Sequence, residues 1–164
     1  MFAVWFTFEK NDEKYLYGII EKLGKQFDAP IFLPHITAYG LVDIKIDQLE
    51  KIVVSCINEE KPFIVEKMEI SHSDDFWKTV FIEIYPNGQL ERINKQLTKS
   101  MCSFGKYKFN PHVSLIYKKM TILQRESLTK SINIKNKYKI NGLCIQQFSK
   151  DISKWEIIHR YSLK

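Results

Sequence analysis

Two tetrapeptides of one pattern, Pro34-His35-Ile36-Thr37 and Pro111-His112-Val113-Ser114, stand at matching places in the chain. Each reads proline, histidine, β-branched aliphatic, hydroxyl. Phe2, where the first strand-like segment begins, lies 33 residues before His35, and Thr79, where a second such segment begins, lies 33 residues before His112. At average composition one such tetrad arises by chance in on the order of one chain in a hundred of this length. Two in register point to a duplicated unit. The fold must then place two copies of one supersecondary pattern about an approximate two-fold axis.

The hydrophobic pattern supports that division. From Phe2 to Phe8 the side chains alternate, with Phe2, Val4, Phe6 and Phe8 on one face and Ala3, Trp5 and Thr7 on the other, which predicts a strand. Asn11 or Asp12 is placed to cap a helix carrying Tyr15, Leu16, Ile19, Ile20 and Leu23, ending near Phe27 before Pro30 and Pro34. A short strand from His35 to Tyr39, closed by Gly40, leads to a helix capped by Asp47 and carrying Leu49, Ile52, Val53, Cys56 and Ile57. A strand from Phe63 to about Ser71 ends the first copy.

The pattern then restarts. Thr79 to Tyr85 reads as a strand, Pro86-Asn87-Gly88 as a turn, and Leu90, Ile93, Leu97 and Met101 as the buried stripe of a helix. His112 to Tyr117 is a strand, Thr121 opens a helix with Leu123, Leu128 and Ile132, and two strands follow near Tyr138 to Phe148 and Trp155 to Ser162. The sequence therefore predicts a single α+β domain over residues 1–164. It is a bilobal pseudo-twofold duplication of β-α-β-α-β units with one extra strand. Mixed or antiparallel sheets line a central cleft, and the halves divide roughly as 1–74 and 75–164. No glycine-rich turn follows the first strand, which disfavours a dinucleotide or nucleoside-triphosphate fold.

Composition narrows the class further. At 164 residues, 45% hydrophobic and 13% aromatic, the chain has material for a sizeable core and is not disordered. The apolar run Met1 to Phe8 follows no basic stretch and is far shorter than the roughly 20 residues of a membrane span, so neither secretion nor insertion is expected. Cys56, Cys102 and Cys144 are odd in number and never form CxxC, which argues against disulfides and zinc and fits a reducing cytoplasm. The net charge of +6 comes mostly from lysines such as Lys118, Lys119, Lys135, Lys137 and Lys139. These read as a solvated surface or as a mild field that attracts anionic ligands such as phosphates or nucleic acid, and charge alone does not choose between them.

In a strand, residues i and i+2 share a face, so His35 projects with Thr37 and His112 with Ser114, while Ile36 and Val113 turn inward. Two imidazoles and two hydroxyls across a cleft suit phosphodiester hydrolysis without metal. One neutral imidazole takes a proton from water, and the other, as imidazolium, protonates the departing ribose oxygen. The hydroxyls donate to the non-bridging phosphate oxygens. Neither histidine has a third histidine, a cysteine or paired carboxylates at ligand spacing, so no metal or cofactor is expected. His72, in Ser71-His72-Ser73, and His159, in the last strand, read as structural or surface residues, and Tyr39 as packing.

These motifs resemble the two-histidine phosphoesterase superfamily, whose signature is a pair of His-x-Thr/Ser motifs. The chain is most similar to its cyclic phosphodiesterases, which open 2′,3′-cyclic nucleotides and ADP-ribose 1″,2″-cyclic phosphate. The likeness runs through Val4-Trp5, Phe32 to Thr37, Phe76 to Phe81, Asn110 to Tyr117 and Trp155. It implies catalysis by His35 and His112, with His112 activating water and His35 protonating the leaving oxygen. It also implies phosphate contacts from Thr37 and Ser114, and a base or ribose platform from Trp5 and Tyr117 with Trp77 beside them. The implied partner is a nucleotide with a cyclic phosphate or a short RNA end, bound by a monomer. Lys78 departs from the glutamine of the plant members and leaves the substrate open. Strict alternation puts Tyr117 on the face opposite His112, so its role requires a twist or bulge at the strand end. Two other readings stay open: cleavage of 2′-5′ oligoadenylates or cyclic oligonucleotide signals, and an RNA- or nucleotide-binding module without turnover.

Overall fold

The computed structural model describes residues Met1–Lys164. The elements are β1 (Phe2–Phe8), α1 (Lys10–Phe27), β2 (Ile36–Val42), α2 (Ile46–Ile57), β3 (Phe63–His72), β4 (Val80–Ile84), α3 (Gly88–Met101), β5 (His112–Ile116), α4 (Ile122–Ser131), β6 (Lys137–Gln147) and β7 (Glu156–Ser162). Single 3-10 turns lie at Phe76–Lys78 and Ile152–Lys154. Every strand pair is antiparallel, so of the two expected sheet types the antiparallel one forms.

The strand order is β2-β1-β6-β3-β4-β5, with β7 also paired to β6. One edge of β6 carries β1. The other edge is shared, with β3 on Lys137–Ile140 and β7 on Gly142–Gln147. The sheet forks there into a β2-β1-β6-β7 lobe and a β3-β4-β5 lobe. Each lobe takes its third strand from the opposite half of the sequence: β3 pairs with β4, and β6 pairs with β1. The division at 74/75 follows the repeat in sequence, whereas the lobes exchange strands across it. The helices cross in the same way, α1 packing on β5 and α3 on β2, and so tie the lobes together from behind.

Alternation along β1 separates two environments. Val4, Phe6 and Phe8 enter the main core, where Leu143, Ile145, Ile82 and Val113 join them, and Ala3 and Trp5 form a separate small cluster with Cys144 on the opposite face. That opposite face is the floor of the cleft. Burying a core side chain of this size contributes about 1.5–3 kcal/mol, so the alternation fixes the register and with it the residues presented to the cleft.

Several local expectations shift. Helix α1 starts at Lys10 with the Glu9 carboxylate accepting from the Asn11 N–H at 3.1 Å, because Asp12 is engaged elsewhere. Its buried carboxylate accepts from the Lys139 N–H at 2.6 Å and pairs with Lys135. Helix α2 begins one residue before Asp47, with no side-chain cap. Asn87 and Thr121 do cap α3 and α4, the latter through a reciprocal box with Gln124. Strand β2 runs on through Gly40 to Val42. Glycine is required at that point because a Cβ there would meet the Tyr107 ring at 2.5 Å.

Candidate active site

Each histidine sits at the start of a strand, directly after its proline. His35 Nδ1 lies 2.7 Å from the Leu33 carbonyl, and His112 Nδ1 lies 2.7 Å from the Asn110 carbonyl. The residue before a proline is held extended, which aims its carbonyl back at the ring two residues on. A carbonyl only accepts, so both Nδ1 atoms carry the proton and both Nε2 atoms remain for other work. The proline of the motif thus selects the tautomer.

The two side chains line one cleft of about 270 Å³ with Thr37, Ser114, Trp5, Trp77 and Tyr117, so all seven residues singled out in the sequence meet there. Of the twist or bulge expected, a bulge is present in β5. One step on β4, from Val80 to Phe81, is matched by two on β5, from Ile116 to Ser114, leaving Leu115 as the extra residue. Ile116 therefore faces the core and Tyr117 the cleft, with Phe32 of the core stacked on the Tyr117 ring at 4.0 Å.

The surroundings of the two imidazoles differ. His35 is only 8% exposed, and the Trp5 indole lies flat on it, with ring centroids 3.6 Å apart and planes 8° apart. Burial pushes its pKa down to about 4, against the opposing effect of the Leu33 carbonyl and with help from His112. Trp5 itself is 4% exposed, so the face expected to carry a base is already covered by His35. His112 is half-buried and meets only the edge of Phe81, at 5.5 Å. Burial lowers its pKa too. The Asn110 carbonyl opposes this, the Lys78 ammonium adds to it, and the Asp75 and Glu83 carboxylates act in the other direction. The Lys78 Nζ rests 4.4 Å above the Phe81 ring.

Ser114 Oγ donates to the Trp77 carbonyl at 3.0 Å, and Tyr107 Oη donates to the Thr37 carbonyl at 3.3 Å, which ties the two hydroxyl-bearing strands to neighbouring loops. Trp77 and Trp155 lie nearly parallel, 5.9 Å apart at 17°, and both remain partly exposed at the cleft. Sequence reasoning did not assign Trp155, Phe148, Tyr107 or Gln146 to the site, yet all four line it. Alternation from Cys144 along β6 was the available signal for Gln146. Nothing periodic marks Tyr107 in its loop. His72 and His159 lie outside the cleft, the latter paired with Glu50, and Tyr39 is buried with its hydroxyl donating to Gly105. No three histidine, cysteine or carboxylate side chains are grouped as metal ligands would be.

This arrangement, two imidazoles of one tautomer with a hydroxyl two residues beyond each, coincides with a known family. The model of cyclic phosphodiesterase-like proteins matches residues 1–163. The chain belongs to the cyclic phosphodiesterase-like family. A cyclic phosphodiesterase of Arabidopsis thaliana is 21% identical over 121 residues, 74% of this chain and 67% of that protein. Among solved structures, TT0787 of Thermus thermophilus superposes with a TM-score of 0.70 at 11% identity, covering 99% of this chain and 97% of that one. Escherichia coli LigT complexed with 3′-AMP gives 0.66 at 11% identity, covering 99% and 96%. At these identities the solved structures speak for the fold, and family membership makes this cyclic phosphodiesterase-like chain a phosphodiester hydrolase. No helix is long and apolar enough to cross a membrane.

Proposed function

We propose that the cleft hydrolyses a cyclic phosphate on ribose, in a 2′,3′-cyclic nucleotide or a related end, to a phosphomonoester, with His35 and His112 as the acid-base pair and no metal. The observation that carries this reading is the pair of identically tethered imidazoles lining one nucleotide-sized cleft. Water attacks phosphorus as the bond to one ribose oxygen breaks. The base takes the water proton, and the acid returns one to the departing oxygen. Thr37 donates to a non-bridging oxygen, where charge accumulates, and Ser114 does the same once its hydroxyl turns from the Trp77 carbonyl to the phosphate.

The difference between the two environments supports one assignment of the roles. His35 is buried and has no carboxylate to support a positive charge, so it is the neutral base. His112 faces Asp75 and Glu83 and is the more open of the two, so it is the proton donor. This exchanges the roles implied by the resemblance. The stacking surface for the base is Trp77 with Trp155, while Trp5 serves to hold and desolvate His35. That LigT was solved with 3′-AMP supports a nucleotide as the ligand class.

The test is a product assay in EDTA on 2′,3′-cyclic mononucleotides, 2′-5′ oligoadenylate and cyclic dinucleotides. Opening of the cyclic mononucleotides to monoesters is the expected result. Loss of activity in EDTA would overturn the metal-free mechanism, and turnover confined to the other substrates would overturn the substrate class.

A further inference from the structure

Gln146 is fully buried on β6, opposite Ala3 of β1, yet it lines the cleft. Its Nε2 donates to the Gln147 carbonyl, and its Oε1 has no partner. Turning the amide over would set its oxygen against that carbonyl, so the orphan atom is the acceptor. An unpaired acceptor in a buried wall is costly and rare in native proteins. In a substrate cleft it marks a place where the ligand supplies the donor.

The register says which part of the ligand reaches it. Thr37, Trp5 and Cys144 are paired across β2, β1 and β6 and form one row on the cleft face. Ala3 and Gln146 form the next row on that face, about 7 Å along the strands at two residues of strand rise. If the phosphate lies at the row of Thr37, the nucleobase lies at the row of Gln146, against the Trp77 and Trp155 rings. The wall there is otherwise apolar, made by Ala3, Phe148 and Trp155. A lone acceptor in such a wall suits an exocyclic amine. Uracil has no exocyclic amine, and its ring N–H is flanked by carbonyl oxygens that would be left without a donor.

We propose that Gln146 is the specificity-determining residue, its Oε1 accepting a hydrogen bond from the exocyclic amine that adenine, cytosine and guanine carry and uracil lacks. The proposal rests on the cyclic-phosphate reading above. The experiment compares kcat/KM for adenosine 2′,3′-cyclic phosphate with that for purine riboside 2′,3′-cyclic phosphate, which lacks only the amine, in the wild type and in Gln146→Met. The same pair of 3′-monophosphates is compared for binding, through tryptophan fluorescence. A preference of at least about tenfold for the amine-bearing ligand in the wild type is expected, falling to within about twofold in Gln146→Met. The variant should melt close to the wild type, because losing the unpaired buried acceptor offsets losing the Nε2 hydrogen bond to the Gln147 carbonyl. Equal handling of the two ligands by the wild type would overturn the proposal without any variant, and so would a preference unchanged in Gln146→Met. Failure of both cyclic phosphates as substrates would instead overturn the cyclic-phosphate reading, with the monophosphate binding ratio still deciding on Gln146.

Discussion

The two copies of the motif agree in the tether and differ in the cover. Both rings are held by a carbonyl two residues upstream at 2.7 Å, across a proline. Trp5 and Phe81 occupy equivalent places, one paired with Thr37 and the other with Ser114. The indole lies flat on His35, whereas the Phe81 ring meets His112 by its edge and carries Lys78 on its face. Duplication made two equivalent imidazoles, and one aromatic neighbour in each lobe made them unequal. In the proposed acid-base mechanism that inequality favours one of the two singly protonated states over the other.

The strongest way to break the comparison is to remove each ring. His35→Ala and His112→Ala are each expected to lower kcat on a 2′,3′-cyclic nucleotide by about a hundredfold or more, with circular dichroism showing both variants folded. An aryl phosphodiester with a p-nitrophenolate leaving group then separates the roles, since that group departs without a proton. His112→Ala should keep most of the wild-type rate on it, and His35→Ala should not. The reverse pattern would return the roles to those implied by the resemblance.

Stability against acid reads the cover on His35 directly. Its pKa is about 4 in the folded protein and near 6.5 when unfolded. The unfolded chain therefore binds the proton first as pH falls. Stability is unpenalised above about pH 6.5 and declines by about 3 kcal/mol by pH 4. Urea unfolding of the wild type and His35→Gln over this range should show that share of the slope missing in the variant. Equal slopes would mean the ring is solvated after all.

Trp5→Leu tests the same cover kinetically. With water admitted to His35, the ascending limb of kcat/KM against pH should move up from about 4 toward the ordinary histidine value near 6.5. The descending limb, which reports His112, should stay in place. Movement of both limbs together would show that Trp5 shapes the whole cleft rather than one ring.

What could be read in the sequence follows from range. The His-x-hydroxyl spacing, the faces of β1 and the 33-residue interval are local, and strand periodicity alone carries them. They sufficed to bring His35, Thr37, His112 and Ser114 to one place. The exchange of β3 and β6 between lobes was not legible, because each half contains a complete β-α-β-α-β pattern and nothing local says which edge its last strand will join. Gln146 and Trp155 reach the cleft only through that exchange and the fork at Gly142, where β7 approaches so closely that a Cβ would collide with the Tyr161 carbonyl. Glu9 displaced Asp12 as a cap for a similar reason. The competing partners of Asp12, Lys135 and the Lys139 N–H, lie more than 120 residues away.

Lys78 gives the smallest and most specific effect. It is the single lysine or arginine lining the cleft, where Asp75 is the single carboxylate. Its ammonium lowers the pKa of His112, against Asp75 and Glu83. Lys78→Gln removes that cation and should raise the His112 pKa, so that His112 keeps its proton to higher pH and the descending limb of kcat/KM shifts upward by a fraction of a pH unit, in line with a screened interaction near a protein surface. The ascending limb should not move, because Lys78 does not act on His35. KM for the anionic substrate should rise a few-fold, and raising the salt should narrow the difference between the two proteins. A shift of the ascending limb instead would mean that the two imidazoles share one environment, and that the inequality between the lobes lies somewhere other than in Trp5 and Lys78.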